Sequence, residues 1–304
     1  MAHSNTAIVV HGGAGVIERQ RMTADVERAY RAGLEAALEA GTSVLSAGGS
    51  SVEAVVAAVT VLEDDALFNA GRGAVFTSDG RNELDAAVMD GATLRAGAAA
   101  LLTTVKNPVQ LARVVMERTP HVLLAGAGAE SLARDAGLAI VDPSYFFTER
   151  RWQALERIKL ASAVGEAEKH GTVGAVALDR NGDIAAATST GGRNDKLPGR
   201  ISDSALIGAG TYANNATAAI SCTGEGEYFI RATAARAVSS LIELSGWSVE
   251  RAAQHAIGEV ARLGGSGGLI ALDRHGTIAM PFNTPGMYRG YARSDGTTAV
   301  DMFA

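Results

Sequence analysis

A threonine that directly follows a glycine opens a predicted β-strand in the middle of the chain, within HGTVGAV at positions 170–176. If the peptide bond before Thr172 is cut, Thr172 gains a free α-amino group, and this amine can act as the base that activates the threonine hydroxyl. A free α-amino group titrates at about 7.7 to 8.0, close to working pH. Gly171 lacks Cβ, so its backbone can bend to let the hydroxyl reach the Gly171 carbonyl. The segment favours self-cleavage followed by amide hydrolysis, although Gly-Thr before an apolar run is also an ordinary strand entry.

Further polar residues and a glycine follow at the ends of predicted strands and in one loop between them. They are Thr190, Arg200, Asp203, Thr223 and Gly224. Taken one at a time, threonines and glycines after strands are ordinary turn residues. An Arg and an Asp on one loop are by themselves a solvated ion pair that contributes about 0 to 1 kcal/mol. Only their joint presence after Thr172 indicates a catalytic site.

Segments along almost the whole chain closely resemble the plant-type asparaginase and isoaspartyl peptidase family of N-terminal nucleophile hydrolases. They are VVHGGAG, LFNAGRGAVFT, ELDAAVMDG, GTVGAVALD, TSTGG, KLPGR, GAGTYANN, SCTGEGE, GGSGG and PFNTPGMYRG, in that order. One such segment would be a weak match, but this many in one order is a strong one. The resemblance implies a single domain, residues 1–304, that is cut into subunits 1–171 and 172–304, with a flexible linker at about 164–171.

The resemblance also implies roles for the residues of the reacting centre. Thr172 corresponds to the nucleophile, released from Gly171, and Thr190 to a second threonine whose hydroxyl orients it. Thr223 and Gly224 correspond to an oxyanion hole, formed by a side-chain hydroxyl and a backbone N–H. Loss of one such donor typically slows a reaction by about 10²- to 10³-fold, so these two residues are expected to be catalytic.

For the substrate, the resemblance implies that Arg200 and Asp203 hold an α-carboxylate and an α-ammonium group. An Arg side chain binds a carboxylate in two places and so orients it. Asn69 corresponds to an asparagine near the nucleophile. The implied small-molecule substrates are L-asparagine and β-aspartyl dipeptides, attacked through a covalent β-aspartyl-threonine intermediate. Glu225 departs from the expected pattern, because an acidic residue stands where a smaller or neutral one is expected, and it is expected to weaken binding of acidic leaving groups.

Two other functions stay open at this point. A glycosylasparaginase-like amidase would use the same nucleophile on a glycosylated asparagine. An unprocessed relative would bind aspartate-like ligands without cutting either itself or a substrate.

No cofactor is expected to be required, but the resemblance implies a structural sodium ion bound by backbone carbonyls. Those carbonyls belong to Leu62, Glu63, Asp65, Phe68, Ala70 and Arg72. Hard cations prefer such oxygen ligands. The acidic run from Glu63 to Asp65 is otherwise expected to end a helix in solvent rather than to form a metal cluster.

Three features are typical of other chemistry but are interpreted as structural. HGG at 11–13 resembles a lipase oxyanion loop, and GGSGG at 264–268 fits the serine hydrolase pattern G-x-S-x-G. In the second case a helix precedes and a strand follows, the reverse of a nucleophile elbow, so Ser266 is predicted to be a turn residue. Cys222 is predicted to be a small buried hydrophobe. As the single cysteine it also excludes an internal disulfide.

Composition predicts a compact enzyme of one large domain or two small ones, since 47% of the 304 residues are hydrophobic and 20% charged. The net charge of -6 argues against nucleic acid as a partner. No apolar run reaches the roughly 18 residues that a membrane span needs, and no signal peptide is recognised, so a cytoplasmic location is expected. The resemblance implies a dimer of α/β heterodimers.

The pattern of apolar residues predicts both helices and strands. The predicted helices begin near Thr23, at Val52 after a Ser50/Glu53 capping box, at Pro108, near Glu130, near Tyr228 (running to Leu244) and at Val249. Periodicity alone supports α/β or α+β. The resemblance implies α+β, with a four-layer αββα sandwich of the N-terminal nucleophile hydrolase type.

Overall fold

The fold is given by a computed structural model that describes residues 5–15, 19, 22–161 and 171–304. The helices are α1 Ala24–Ser46, α2 Ser51–Asp64, α3 Pro108–Arg118, α4 Gly126–Asp135, α5 Glu149–Ala161, α6 Gly226–Ala232, α7 Ala234–Ser245 and α8 Val249–Arg262. The strands are β1 Ala7–Gly15, β2 Leu84–Asp90, β3 Ala96–Leu102, β4 Leu123–Ala125, β5 Val173–Leu178, β6 Ile184–Thr190, β7 Thr211–Ala213, β8 Ala218–Gly224, β9 Gly267–Asp273, β10 Ile278–Ala279, β11 Gly286–Arg293 and β12 Thr298–Phe303. The α+β prediction is confirmed. Apart from Gly171, the expected linker at 164–171 lies outside the described residues.

The strands form two sheets, with the strand that follows Thr172 at the centre of the larger one. That sheet has the order β12-β11-β1-β5-β6-β2-β3-β4, and the smaller sheet has the order β10-β9-β8-β7. Neighbouring strands are antiparallel, except that β3 and β4 are parallel. Because β5 lies between β1 and β6, the start of β5 is surrounded by backbone from both neighbours.

The central strands of the large sheet are buried on both faces. Ile8 and Val10 of β1 pack with helices α1 and α2, whereas Ala7 and Val9 belong to the core between the sheets. Successive side chains of a strand point to opposite faces, so a continuous apolar run is what a doubly covered strand requires. The apolar run AIVV in β1 therefore fits a central strand that is covered on both faces.

The small sheet is likewise covered on both faces. Ala219, Ile270 and Leu272 pack toward the large sheet. Ile220 and Cys222 pack instead with α7 and α8. Cys222 is fully buried among these apolar side chains, which confirms the prediction that it acts as a small hydrophobe.

Local signals set the starts of α1 and α2 where the sequence predicted them, whereas α4 begins at Gly126, before the predicted start near Glu130. The Thr23 hydroxyl accepts from the Val26 N–H at the start of α1. Ser50 and Glu53 form the predicted capping box at the start of α2. None of the described helices combines the length and the apolar character needed to cross a membrane.

The single helix predicted from Tyr228 to Leu244 is wrong, because the chain forms two helices that meet at Thr233. This residue has φ 46° and ψ 48°, the left-handed conformation, which cannot continue a right-handed helix. The N–H groups of Ala235 and Arg236 donate to the carbonyls of Ala209 and Gly208. Helix α7 is thus a separate helix, and N–H groups of its first turn bond to carbonyls outside the helix.

Glu63 is fully buried, so the expectation that the acidic run ends a helix in solvent is wrong for this residue. Its Oε1 accepts from the Val109 N–H at 2.9 Å and from Ser189 Oγ at 2.6 Å. The first bond caps α3, whose N-cap Asn107 makes no side-chain cap of its own. Its Oε2 has no hydrogen-bond partner among the described residues. Burial raises the pKa of Glu63 to about 8, so the carboxyl is largely protonated at neutral pH.

We expect Glu63→Gln to gain stability over the wild type as pH rises from 4.5 to 8. The pKa of Glu63 lies near 8 in the folded protein against 4.5 for an ordinary glutamate. The folded state therefore binds more protons than the unfolded state in that window, and wild-type stability falls with rising pH by on the order of 1 kcal/mol per pH unit. Thermal melts at several pH values measure the difference. Glu39→Gln, on the exposed face of α1, is the control, and a parallel pH dependence of Glu63→Gln and the wild type would contradict the prediction.

Candidate active site

Thr172 lies at the start of β5 and is only 6% exposed. Its Oγ1 donates to Thr190 Oγ1 at 3.1 Å. Thr190 ends the neighbouring strand β6, and its Oγ1 also accepts from the Gly192 N–H at 2.9 Å. The structure thus brings together the two threonines that the resemblance pairs, and it fixes the second one through the turn that follows it.

Thr223 lies on the other side of Thr172, at the end of β8 in the small sheet. Its Oγ1 accepts from the Thr172 backbone nitrogen and from the Ala14 nitrogen, both at 3.2 Å. Because this hydroxyl accepts both bonds, its proton remains to be donated to a further acceptor, such as a developing oxyanion. Gly224 has φ +148°, and a Cβ there would overlap the Ser266 carbonyl oxygen. Only glycine fits at this end of β8. Its N–H is the next backbone donor in the chain after the Thr223 side chain.

A cavity of about 140 Å³ opens above these residues. It is lined by Ala14, Gly15, Thr172, Gly192, Arg193, Arg200, Ser202, Asp203, Gly224, Glu225, Gly226, Glu227 and Ser266. The cavity therefore joins Thr172 to the two residues predicted to hold the substrate.

Arg200 and Asp203 differ in how they meet the cavity. Arg200 Nε donates to Glu227 Oε1 at 3.0 Å, and Glu227 is about half exposed. Asp203 is 3% exposed, and its Oδ2 has no hydrogen-bond partner among the described residues. Burial raises the pKa of Asp203 to about 7, and the charge of Arg200 opposes this rise. Asp203 is therefore a buried acceptor suited to an incoming cation.

Asn69 uses both ends of its side-chain amide to hold backbone near Thr190. Its Nδ2 donates to the Gly192 carbonyl at 2.8 Å, and its Oδ1 accepts from the Val75 N–H at 2.9 Å. Its own carbonyl accepts from the Gly191 N–H at 3.1 Å. These contacts place Asn69 behind the turn after Thr190, where it supports the second threonine.

His11 contacts Thr172 directly, and sequence reasoning missed it. Its Nδ1 lies 2.8 Å from the Thr172 carbonyl oxygen. Next to it, Gly13 has φ +115°, and a Cβ there would overlap the Gly171 Cα. HGG at 11–13 belongs to a segment that carries the family resemblance, but no role was predicted for His11. A histidine inside the apolar run of β1 is a buried polar group that needs partners, and this is the signal in the sequence.

Glu225 and Ser266 form a pair at the edge of the cavity. The Ser266 N–H and Oγ both lie 2.9 Å from Glu225 Oε2 and donate to it. Ser266 lies between the turn that ends α8 and the start of β9, so a helix precedes it and a strand follows, as predicted, and it also lines the cavity. The Glu225 carboxylate is held at the cavity rather than turned away from it.

The predicted sodium loop folds back on itself at two glycines. Gly71 has φ +48°, and a Cβ there would overlap the Glu63 carbonyl oxygen; a Cβ at Gly73 would overlap that of Phe68. The loop therefore packs closely against its own backbone at these glycines. Within it, the Asp65 carbonyl accepts from the Phe68 N–H and the Ala70 carbonyl from the Gly73 N–H, so the sodium site stays a prediction. Among the described residues, no three His, Cys, Asp or Glu side chains converge on a metal position.

A family model described as asparaginase matches residues 4–302 of the chain. The chain belongs to the asparaginase family. The isoaspartyl peptidase of Escherichia coli is 50% identical over 305 residues, with 96% of this chain and 95% of that protein covered. The plant-type L-asparaginase of Pyrobaculum calidifontis is 43% identical, with 95% and 97% covered. The isoaspartyl peptidase/L-asparaginase of Mus musculus is 45% identical, with 88% and 82% covered.

Membership of the asparaginase family confirms the resemblance stated from the sequence segments, and it makes the protein a hydrolase. A threonine nucleophile fits this family. The individual roles of Thr172, Thr190, Thr223 and Gly224 stay predictions, now with a geometry in which they meet.

We expect KM to rise as pH falls through about 7 because Asp203 then loses its charge. Burial raises the pKa of Asp203 to about 7, and a protonated carboxyl no longer attracts an α-ammonium group. Asp203→Asn should show a high KM that no longer changes across this range. Steady-state kinetics from pH 5.5 to about 8.5 measure this effect. A wild-type KM that stays constant below pH 7, or an unaltered pH dependence in Asp203→Asn, would contradict the assignment.

Proposed function

We propose that the chain is an autoprocessing threonine amidohydrolase that releases aspartate from L-asparagine and from β-aspartyl dipeptides. One observation carries this proposal. Thr172 contacts Thr190 through its hydroxyl and Thr223 through the nitrogen that scission would free. Nucleophile, orienting hydroxyl and oxyanion donor thus meet around one residue.

The first step would cut the chain itself. Thr172 Oγ1 attacks the Gly171 carbonyl carbon, the Gly171–Thr172 C–N bond breaks, and the nitrogen takes up a proton to become an amine. The resulting ester between Gly171 and the threonine hydroxyl is opened by water, which leaves a carboxylate on Gly171. In the uncut chain the Thr172 nitrogen already donates to Thr223 Oγ1 at 3.2 Å, so the new amine starts next to its partner.

In turnover, the freed amine takes the proton of the Thr172 hydroxyl as the oxygen attacks the side-chain carbonyl of the substrate. The Thr223 hydroxyl and the Gly224 N–H stabilise the oxyanion. The proton passes to the leaving ammonia or amine, and water then hydrolyses the β-aspartyl ester. Arg200 and Asp203 hold the α-carboxylate and the α-ammonium, so that the β-carbonyl faces Thr172.

The choice of substrates is supported by the names of relatives that align over most of their length. The protein from Escherichia coli is an isoaspartyl peptidase, and the one from Pyrobaculum calidifontis is a plant-type L-asparaginase. We extend both activities to this chain. Competition between a β-aspartyl dipeptide and a glycosylated asparagine tests the extension, and preference for the glycosylated substrate would replace it with a glycosylasparaginase-like activity.

The proposal includes the architecture and assembly. We propose one domain, 1–304, with the four-layer αββα arrangement, cut into 1–171 and 172–304. Contacts of α1, α2 and α3 with the large sheet, of the two sheets with each other, and of α7 and α8 with the small sheet support the layering. We also propose a dimer of such pairs in the cytoplasm, with no cofactor required. Sedimentation velocity and cell fractionation test the assembly and the location.

A sodium ion on the carbonyls of the 62–72 loop is a further part of the proposal. A sodium ion bound there would offset the partial negative charges of the carbonyl oxygens. It would thereby stabilise the segment from Leu62 to Arg72, which includes Asn69. We expect the melting temperature to fall when sodium is replaced by choline at equal ionic strength, since binding to the folded state stabilises it. Equal melting temperatures in the two salts would remove the ion from the proposal.

Thr172→Ala should abolish both chain scission and turnover, because no hydroxyl remains to attack. Intact mass, a denaturing gel and N-terminal sequencing of purified protein measure scission, and release of aspartate measures turnover. Active wild-type protein should contain a fragment that starts Thr-Val-Gly. Cys222→Ala, on the buried far face of β8, should leave both processes largely intact. Full activity in a single uncut chain would contradict the mechanism, and aspartate binding without any hydrolysis would indicate the unprocessed alternative.

A further inference from the structure

A buried series of hydrogen bonds leads from the Thr172 carbonyl into the small sheet. His11 Nδ1 lies 2.8 Å from that carbonyl oxygen, and His11 Nε2 lies 2.8 Å from Ser221 Oγ. Ser221 Oγ lies 2.7 Å from Thr188 Oγ1, which accepts from Thr211 Oγ1 at 2.6 Å. The four side chains of His11, Ser221, Thr188 and Thr211, called the His11 network below, have no solvent exposure.

The His11 ring is neutral in the folded protein. Burial lowers the pKa of His11 to about 3, against the opposing effect of its bond to Thr172. A neutral imidazole has one donor and one acceptor nitrogen. A carbonyl oxygen only accepts, so Nδ1 carries the proton and Nε2 accepts from the Ser221 hydroxyl. Ser221 must then accept from Thr188, so the bonds from Thr188 through Ser221 and His11 all donate toward Thr172. The single proton of the Thr211 hydroxyl faces both Thr188 Oγ1 at 2.6 Å and the Ser204 carbonyl at 3.0 Å.

The backbone around the network is shaped to leave room for it. His11 is the cross-strand partner of Gly174. A Cβ at Gly174 would overlap both Ser221 Oγ and His11 Nε2. Any larger residue at position 174 would therefore break the bond between these side chains. The strand entry after Thr172 needs glycine for this reason, and not for a turn.

The carbonyl that His11 binds lies beyond the regular strand pairing. Pairing of β5 begins at Val173 on the β6 side and at Gly174 on the β1 side. A side chain thus supplies the donor for the Thr172 carbonyl where the ladder of backbone bonds has not yet begun. The nitrogen and the hydroxyl of Thr172 are held by Thr223 and Thr190.

We propose that His11 is a positioning residue for the Thr172 nucleophile: its neutral ring donates Nδ1–H to the Thr172 carbonyl and fixes the direction of the threonine backbone. The inference rests on the proposed function. His11 exchanges no proton with the substrate, and the network behind it holds the ring in place by binding Nε2. The Thr172 carbonyl carbon, nitrogen and Cβ are all bonded to one Cα. With β5 held in its sheet, a change in the ψ angle of Thr172 would therefore swing Cβ and the hydroxyl away from their partners.

The test compares two replacements of the ring. His11→Leu removes the donor and keeps the residue apolar, whereas His11→Asn keeps an N–H near the position of Nδ1. We expect His11→Leu to lower kcat and the rate of scission by about 10- to 100-fold, as is typical when the partner that orients a reacting group is lost. KM should change by less than about threefold, and His11→Asn should recover most of the loss. Cys222→Ala, next to Ser221 but facing the helices, is the matched control.

A second variant and a spectroscopic measurement keep the test decisive if His11→Leu fails to fold. Ser221→Ala should lower kcat in the same direction, because Nε2 then loses its hydrogen-bond partner and the ring is held only at Nδ1. Nitrogen NMR shifts should show a neutral ring protonated at Nδ1 in the folded wild type between pH 5 and about 9. A ring protonated at Nε2, or a charged ring, would overturn the inference without reference to activity.

The kinetic outcomes separate this inference from the proposed function. Wild-type protein that neither cuts itself nor hydrolyses substrate contradicts the proposed function, while the NMR result still decides the state of His11. Normal scission and kcat in both His11→Leu and Ser221→Ala contradict only the positioning role. Disappearance of a limb of the kcat pH profile in His11→Asn would mean that the ring transfers a proton, and this too would overturn the inference.

Discussion

Three hydrogen bonds hold Thr172, the proposed nucleophile, and each comes from a different strand. Its hydroxyl binds Thr190 on β6, its nitrogen binds Thr223 on β8, and its carbonyl binds His11 on β1. A threonine at the end of a surface loop would sample many rotamers and backbone angles. Here the fold has fixed these freedoms in advance, so the loop residues proposed to bind substrate would need only to bring a carbonyl to a point already defined.

Close approach of backbones makes this arrangement possible, and glycine is what permits it. Gly13 packs against the Gly171 backbone, and Gly224 packs against the Ser266 carbonyl. Gly174 has no side chain to fill the space in which His11 of β1 meets Ser221 of β8. Asn69 and the turn after Thr190 show the same pattern, because a Cβ at Gly191 would lie 2.6 Å from Asn69 Oδ1. These glycines are thus explained by contacts between segments that are distant in the sequence. The residues of a single strand do not reveal such contacts.

Local signals in the sequence were sufficient for much of the fold and for the outline of the site. The capping box at Ser50 and Glu53 and the proline at the start of α3 each act within one turn of helix, so tertiary structure did not override them. The break at Thr233 could not be predicted, because it depends on the carbonyls of Gly208 and Ala209 that receive the first N–H groups of α7. Glu63 and His11 were missed for a related reason. Their polar atoms are satisfied by residues far along the chain, which periodicity does not reveal.

The order of strands in the large sheet determines whether the two products of the proposed scission before Thr172 would stay together. Strand β1 from the first product lies between β11 and β5 of the second, and β6 of the second product pairs with β2 of the first. The two products would therefore be interleaved, and separating them would require breaking three strand pairings, β11 with β1, β1 with β5 and β6 with β2, inside a largely buried sheet. Scission before Thr172, as proposed, would break one covalent bond and leave these strand pairings intact, so a cleaved molecule would keep the shape of the uncut chain.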